Sequence, residues 1–156
     1  MKHIGFTLIE LLATLAILGV LAFLALPLAE NTVRRAKETE LRSSLRELRS
    51  AIDRYKEAVD QGLIEREAGS SGYPPNLQVL VDGVDDAHSL DRRKMYFLRR
   101  IPRDPLNSGW TIAAEDSWGK RSYASDPESP QEGDDVYDVY SRATGVGLNG
   151  IPYREW

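Results

Sequence analysis

The chain has 156 residues, a net charge of −4 and no cysteine. This charge balance excludes the strongly basic surface that is typical of nucleic-acid-binding proteins, and the lack of cysteine excludes disulfides as a source of stability. Without its apolar N-terminal stretch, the chain has the length of one ordinary soluble domain.

The first predicted element is an apolar segment at residues 6–29, whose only charged residue is Glu10. At about 1.5 Å per residue, a helix of this length crosses a bilayer core of roughly 30 Å. A charged side chain at the bilayer centre costs about 2.5–3.5 kcal/mol, and less near a helix end, so Glu10 requires a partner. Residues 8–29 contain no Lys, Arg or His. The partner is therefore expected among lipid headgroups, the chain's own N-terminus or another subunit.

The first ten residues resemble the processing signal of a known family. The sequence KHIG at 2–5, followed by FTLIE at 6–10, is similar to the class III signal of type IV pilins and type II secretion pseudopilins. The resemblance implies cleavage after Gly5 by a prepilin peptidase and N-methylation of Phe6. It also implies that Glu10 pairs with the N-terminal amine of a neighbouring subunit during filament assembly.

The same resemblance implies the organisation and location of the chain. Residues 1–5 are expected to be a leader, residues 6–29 a transmembrane half-helix that becomes filament core, and residues 30–156 a periplasmic pilin-like domain. The expected topology is a single pass through the inner membrane. Counting basic residues favours the opposite orientation, because Arg34, Arg35, Lys37 and Arg42 follow the apolar segment. An ordinary signal anchor and a cleaved secretory signal peptide are the alternative interpretations.

One long helix is predicted over residues 6–61, with Gly62 ending it. Pro27 removes a backbone hydrogen bond, so a kink or a locally melted turn is expected around residues 24–27. In the family, a proline at the matching place lies in a segment that can unwind in the assembled filament. Apolar residues recur at spacings of four and three in the second half and predict a stripe that faces a core. The stripe consists of Leu41, Leu45, Leu48, Ile52, Tyr55 and Val59, and the opposite face carries Arg42, Glu47, Arg49, Arg54 and Glu57.

The rest of the chain predicts a small sheet that covers this stripe. Asn76 is expected to cap a short helix at 77–81, residues 82–94 are expected to be polar and exposed, and the apolar residues 95–98 are expected to fold back onto the long helix. The predicted strands are 110–113, 120–125 and 136–141. We therefore predict an α+β, pilin-like fold in which the long N-terminal helix packs on a small antiparallel sheet.

Two further segments resemble the major, G-type pseudopilin. These are YPPN at 73–76 and DSWG at 116–119, where Ser117 replaces the family's proline. The absence of cysteine favours the same subclass, because many type IV pilins close a C-terminal loop with a disulfide. The glycine-rich residues from 144 onward are expected to form a packed lid anchored by Tyr153 and Trp156.

The G-type resemblance implies a calcium ion in place of that disulfide. Calcium binds several oxygen ligands, and the candidates here are Asp126, Asp134 and Asp138. Asp138 matches the family's first aspartate, but the second falls on Gly145, which has no side chain. A solvated acidic loop is therefore the alternative, and calcium is the one candidate cofactor.

No catalytic constellation is recognisable, and His88 stands alone in a polar loop, so we expect a structural protein rather than an enzyme. The main hypothesis is a pseudopilin that polymerises into a periplasmic filament of a type II secretion system and drives protein export across the outer membrane. Its expected partners are further copies of itself, minor pseudopilins, the prepilin peptidase, an inner-membrane assembly platform with its ATPase, and membrane lipid before assembly; nucleic acid is not expected. The alternatives are a type IV pilin of a surface filament for adhesion, motility or DNA uptake, and a membrane-anchored binding module that does not polymerise.

Overall fold

The computed structural model describes residues 7–91, 93–107 and 111–156, and the side chains of residues 24–29 lie outside this description. The chain divides into two compact units, Met1–Ala36 and Lys37–Trp156. Its helices are α1 (Leu8–Asp60) and α2 (Val79–Asp82), and its strands are β1 (Val84–Asp85), β2 (Lys94–Met95), β3 (Trp118–Arg121) and β4 (Asp138–Ser141). Two short 3-10 helices cover Glu115–Ser117 and Tyr153–Glu155.

Helix α1 runs through the first unit and continues into the second. Its described backbone is helical across residues 24–30, so it shows no melted turn at Pro27, one of the two predicted alternatives. A proline removes only one backbone hydrogen bond of the helix, and the bonds on either side keep the helix closed. The kink stays a prediction. Among the residues that the structure describes, no helix is long and apolar enough to cross a membrane. Residue 6 and the side chains of 24–29, which belong to the predicted membrane segment, lie outside the described part.

Helix α1 ends at Asp60, one residue before the predicted end at residue 61, and the predicted stop at Gly62 follows it. This glycine has a positive φ of 74°, a conformation that only glycine adopts without strain. The amide of Leu63 donates to the carbonyl oxygen of Ala58 at 2.9 Å, and the amide of Gly62 donates to that of Val59 at 3.0 Å. This pair of bonds is a Schellman motif, which satisfies carbonyl groups of the last turn and stops the helix.

The predicted apolar stripe of α1 is the centre of the core in the second unit. All six of its members, from Leu41 to Val59, are at most 8% exposed. They pack in one cluster with buried residues from the rest of the unit, namely Leu77, Leu80, Leu98, Trp118, Val136, Val139 and Tyr153. The predicted return of residues 95–98 to the helix is also confirmed, because the Phe97 ring lies edge-on to Tyr55 at 5.5 Å between centroids.

Among the described residues, the strands form two separate antiparallel pairs instead of one sheet. Strand β1 pairs with β2, and Val84 lies opposite Met95; the sequence analysis assigned most of this region to an exposed polar segment. Strand β3 pairs with β4, and Trp118 lies opposite Ser141. Residues 111–113 form no strand, and residue 110 lies outside the described residues. The α+β fold, with a long N-terminal helix packed on small antiparallel sheets, is confirmed.

Helix α2 begins two residues later than predicted, at Val79. Its N-cap position is occupied by Gln78, which makes no side-chain capping bond, so the predicted cap at Asn76 is displaced by two residues. Asn76 still contacts the helix start, because its Oδ1 accepts a 2.9 Å hydrogen bond from the Val79 amide. The backbone oxygen of Leu80 then accepts from the amides of Phe97 and Leu98 at 3.0 and 2.9 Å. This connection fixes the apolar segment 95–98 next to α2.

Candidate functional site

The site that the processing signal points to lies at the start of α1, where Thr7 and Glu10 form a reciprocal capping pair. The Glu10 amide donates to Thr7 Oγ1 at 3.3 Å. In return, Glu10 Oε2 accepts hydrogen bonds from the Thr7 amide at 2.8 Å and from the Thr7 hydroxyl at 2.7 Å. Such a capping box satisfies amide groups that have no partner inside the helix and defines the first turn.

The capping pair uses one oxygen of the Glu10 carboxylate. Both bonds from Thr7 end on Oε2, and within the described part of the chain Oε1 accepts no hydrogen bond. The Glu10 side chain is exposed. The carboxylate is therefore held in one orientation by its own chain, while its second oxygen remains accessible to a donor from outside.

Thr7 is a partner that the sequence analysis missed. Residues 8–29 contain no cation, and the donors are a hydroxyl and an amide of the residue just before that range. The pattern Thr-x-x-Glu directly before an apolar run is the known sequence signature of a capping box. It identifies the Thr7 to Glu10 pair without any structure.

The remainder of this half-helix presents apolar side chains to solvent on every side. Ten large apolar residues between Leu8 and Phe23 are from 52% to 78% exposed. They are Leu8, Ile9, Leu11, Leu12, Leu15, Ile17, Leu18, Val20, Leu21 and Phe23. The Thr14 hydroxyl, one of the few polar groups here, donates to the backbone oxygen of Leu11 at 2.9 Å and so is satisfied within the helix. A helix that is apolar all round is normally buried in protein or lipid.

The structure describes only some of the residues that the sequence assigns to processing and assembly. Gly5 and Phe6 lie outside the described residues, and so does the side chain of Pro27. Glu10 lies in the first turn of α1, one turn from the predicted cleavage point. Cleavage, methylation and the pairing of Glu10 with a neighbouring subunit stay predictions.

The three candidate calcium ligands are not brought together as a metal site. Asp138 Oδ1 accepts from Arg49 Nε at 2.7 Å and from the Val139 amide at 2.8 Å. Asp126 Oδ1 accepts from the Glu128 amide in its own loop at 2.9 Å, and Asp134 is exposed. Among residues 7–91, 93–107 and 111–156, no group of three or more His, Cys, Asp or Glu side chains is placed to hold a metal ion. These residues do not fit a calcium site.

The predicted C-terminal lid is packed on α1 through the two anchors that the sequence indicates. The Tyr153 hydroxyl donates to Glu38 Oε1 at 2.9 Å, and the Leu148 amide donates to the same oxygen at 2.9 Å. The Trp156 ring lies 4.3 Å from the guanidinium carbon of Arg42 and 5.2 Å from the Tyr153 ring. Glu38 is therefore a structural residue that joins α1 to the C-terminal segment.

The comparisons with known proteins bear on the N-terminal site alone. A family model described as the prokaryotic N-terminal methylation motif matches residues 1–26, which is 26 of the 156 residues. No match was found among curated proteins or among solved structures. The matched motif supports a type IV pilin-like subunit. It implies processing by a prepilin peptidase, N-methylation, membrane anchoring, and assembly into a surface or periplasmic filament.

Proposed function

We propose that this chain is a pseudopilin, a structural subunit without enzymatic activity that polymerises into a periplasmic filament of a type II secretion system and drives protein export across the outer membrane. One observation carries the proposal. Directly behind the processing motif, a single helix presents apolar side chains on all sides in its first part and carries a folded domain on its second part.

The exposed apolar half-helix needs an environment other than water. Burial of apolar surface stabilises by about 25 cal/mol per Å², so covering ten large, mostly exposed side chains is favourable by on the order of 10 kcal/mol. Lipid supplies this environment before assembly, and the equivalent helices of neighbouring copies supply it in a filament. In a homopolymer the same surface is buried in every subunit, so the apolar half-helix of each copy is covered by those of its neighbours.

Glu10 gives the assembled state an advantage over the lipid-embedded one. A carboxylate at the edge of an apolar helix is poorly solvated in lipid. Its oxygen Oε2 is held by Thr7, and Oε1 is available for the methylated amine of a neighbouring Phe6. Formation of this ion pair between subunits compensates the carboxylate on transfer from lipid into the filament.

The choice of secretion over a surface pilus rests on the second unit. It contains no cysteine, and it resembles the G-type pseudopilin at residues 73–76 and 116–119. A type IV pilin is the alternative assignment. Minor pseudopilins, an assembly platform and its ATPase are the partners that this proposal implies.

The assembly role is tested by Glu10→Ala, compared with Glu40→Ala on the exposed face of the same helix. Both variants should reach the inner membrane and be cleaved after Gly5, which fractionation and intact mass measurement check. Only Glu10→Ala should fail to form filaments when the system is overexpressed. Normal filaments from this variant would contradict the pairing of subunits through Glu10.

Deletion of the gene tests the kind of filament, with protein release into the medium and the number of surface fibres as the two measurements. Loss of protein release into the medium, with surface fibres unchanged, supports the secretion pseudopilin. Loss of surface fibres or of twitching movement, with secretion unchanged, replaces it with the type IV pilin. A chain in the membrane that still begins at Met1 in cells with active prepilin peptidase contradicts both and favours a membrane-anchored binding module.

A further inference from the structure

The guanidinium group of Arg49 joins three separate parts of the second unit. Its Nε donates to Asp138 Oδ1 at 2.7 Å, which links α1 to the start of β4. Its Nη2 donates to the backbone oxygen of Val139 at 3.1 Å and to that of Trp156 at 2.7 Å. One side chain on the long helix thus contacts the last strand and the C-terminal segment together.

The Arg49 contacts lie where the family resemblance implies a metal ion. Asp138 matches the aspartate that holds calcium in G-type pseudopilins, and here its Oδ1 is occupied by Arg49 Nε and the Val139 amide. A second cation, Arg121, lies 4.0 Å from Asp138 Oδ2. A divalent ion placed on this carboxylate would have to displace a guanidinium and overcome its repulsion. The family's second aspartate ligand corresponds to Gly145 in this chain, and glycine offers no side-chain oxygen.

Arginine has the chemistry for this position. The planar array of donors of a guanidinium matches several oxygen acceptors at once. The oxygens of Asp138, Val139 and Trp156 are the types of ligand that calcium also prefers. The guanidinium of Arg49, which donates hydrogen bonds to these oxygens, therefore takes the place of a calcium ion that would coordinate them.

Two further residues of α1 hold the same C-terminal segment. Glu38, Arg42 and Arg49 are four and seven residues apart, so they lie on the same face of the helix. Glu38 binds the Leu148 amide and the Tyr153 hydroxyl, and Arg42 lies over the Trp156 ring. The sequence predicts that Arg49 lies on the face of α1 opposite the core, and in the structure Arg49 contacts β4 and the C-terminal segment.

We propose that the Arg49 guanidinium is the internal cation that holds β4 and the C-terminal segment on helix α1, replacing both the calcium ion and the disulfide. The domain therefore closes without a metal ion. This inference concerns the folded second unit and does not depend on the proposed role in secretion.

The first test measures metal dependence of the unmodified full-length chain in detergent. Near-ultraviolet circular dichroism reports thermal unfolding of the packed aromatic residues, in EDTA and in millimolar calcium chloride. The expected unfolding midpoint is the same in both buffers. A lower midpoint in EDTA that calcium restores overturns the proposal, because it shows that a metal ion holds the domain.

The second test compares Arg49→Met with Arg46→Met, which removes the same charge from an exposed position of the same helix. Arg49→Met should lower the unfolding midpoint by about 5 °C, since it removes a partly exposed guanidinium that makes several hydrogen bonds. It should also speed amide hydrogen exchange in residues 138–156 at least tenfold, and Arg46→Met should change neither quantity. Equal behaviour of the two variants contradicts the proposal.

A further pair of variants keeps the test decisive if Arg49→Met does not fold. Arg49→Lys retains the charge but not the fork of donors, so it should fold and still exchange faster than wild type in residues 138–156. Asp138→Asn should have the same regional effect, and combining it with Arg49→Lys should add little, because both remove one interaction. The proposed role of Arg49 is overturned if amide hydrogens of residues 138–156 exchange in Arg49→Lys at the wild-type rate. It is also overturned if the effects of Arg49→Lys and Asp138→Asn are fully additive.

Discussion

The Tyr153 hydroxyl donates a 2.9 Å hydrogen bond to Glu38 Oε1 and so joins two residues that are 115 positions apart. Glu38 is only 5% exposed, and the polar oxygens of a side chain at that depth need hydrogen-bond partners. Two of its donors are the Tyr153 hydroxyl and the Leu148 amide. The C-terminal segment is therefore part of the packed domain, because it supplies hydrogen-bond donors to a buried side chain of α1.

Removing the Tyr153 hydroxyl should destabilise the domain without changing its shape. In Tyr153→Phe, Glu38 loses one donor while remaining buried, and we expect a loss of about 1–3 kcal/mol in the free energy of unfolding. Urea unfolding of the chain in detergent measures this loss. Tyr96→Phe changes a residue that is 65% exposed, and it should change the free energy of unfolding by less than about 0.5 kcal/mol. Equal losses in the two variants would contradict the role of the Glu38 contact.

Substitution of Asp104 should lower the free energy of unfolding more than substitution of any other carboxylate residue of the second unit. It is fully buried, its Oδ1 accepts from the Leu106 amide at 2.8 Å, and its Oδ2 accepts from the Ser141 hydroxyl at 2.5 Å. Asp104→Ala leaves these donors buried without a partner, so we expect a loss of about 2–4 kcal/mol in unfolding free energy. Asp116→Ala, at an exposed position, is the matched control for removal of one negative charge. A small effect of Asp104→Ala would show that water replaces the carboxylate.

Gly119 should not tolerate a side chain while Tyr140 lies across it. A Cβ atom at Gly119 would lie 2.3 Å from the Tyr140 ring, on the strand paired with it. Gly119→Ala should therefore cost about 1–3 kcal/mol through displacement of the ring. In Gly119→Ala/Tyr140→Ala the clash is absent, and the double variant should lose less than the sum of the single losses. Strict additivity would show that the cost arises elsewhere.

The domain should lose stability in alkaline solution partly through Tyr55. Burial, and to a lesser extent the nearby charge of Glu67, raises the pKa of Tyr55 above its ordinary value. A pKa raised by folding means that the folded state favours the neutral phenol. The corresponding stability is present below about pH 10 and is lost as the pH rises through the folded pKa.

Thermal unfolding midpoints measured between neutral pH and about pH 11 test this expectation. Tyr55→Phe should unfold like the wild type at neutral pH and show a smaller fall above pH 10. Some fall should remain, because burial also raises the pKa of Tyr73. Tyr96→Phe removes an exposed phenol and serves as the control. The same alkaline fall in Tyr55→Phe and in wild type would refute the assignment to Tyr55.

The capping pair at the start of α1 should contribute to filament assembly. In Thr7→Ala the Glu10 carboxylate loses the hydroxyl donor that orients it, and the first turn loses about 1 kcal/mol of stabilisation. We expect a reduced filament yield, with membrane insertion unchanged. Thr14→Ala removes a hydroxyl that binds only the Leu11 carbonyl among the described residues, and it should assemble normally. Equal yields from both variants would remove the capping pair from the assembly mechanism.

Local patterns predicted most of the helical structure. The stripe from Leu41 to Val59 and the glycine at residue 62 depend only on spacing along one helix, so they were read correctly from the sequence. The pairing of β1 with β2 was not predicted because each strand is only two residues long, with one apolar and one charged residue. Such strands are defined by their pairing partner, and no local pattern reveals a partner about ten residues away.

The sequence by itself determined the N-terminal motif, the apolar half-helix and the face of α1 that forms the core, because each depends on residues within a few turns of one another. Only the tertiary structure decided the roles of Glu38, Arg49 and Asp104. Each of these charged residues is placed by contacts with distant segments, and a charged residue in a sequence is equally compatible with solvent. Asp138 is an example: the sequence leaves a calcium ligand and a solvated acidic residue as alternatives, and folding places the guanidinium of Arg49 against its carboxylate.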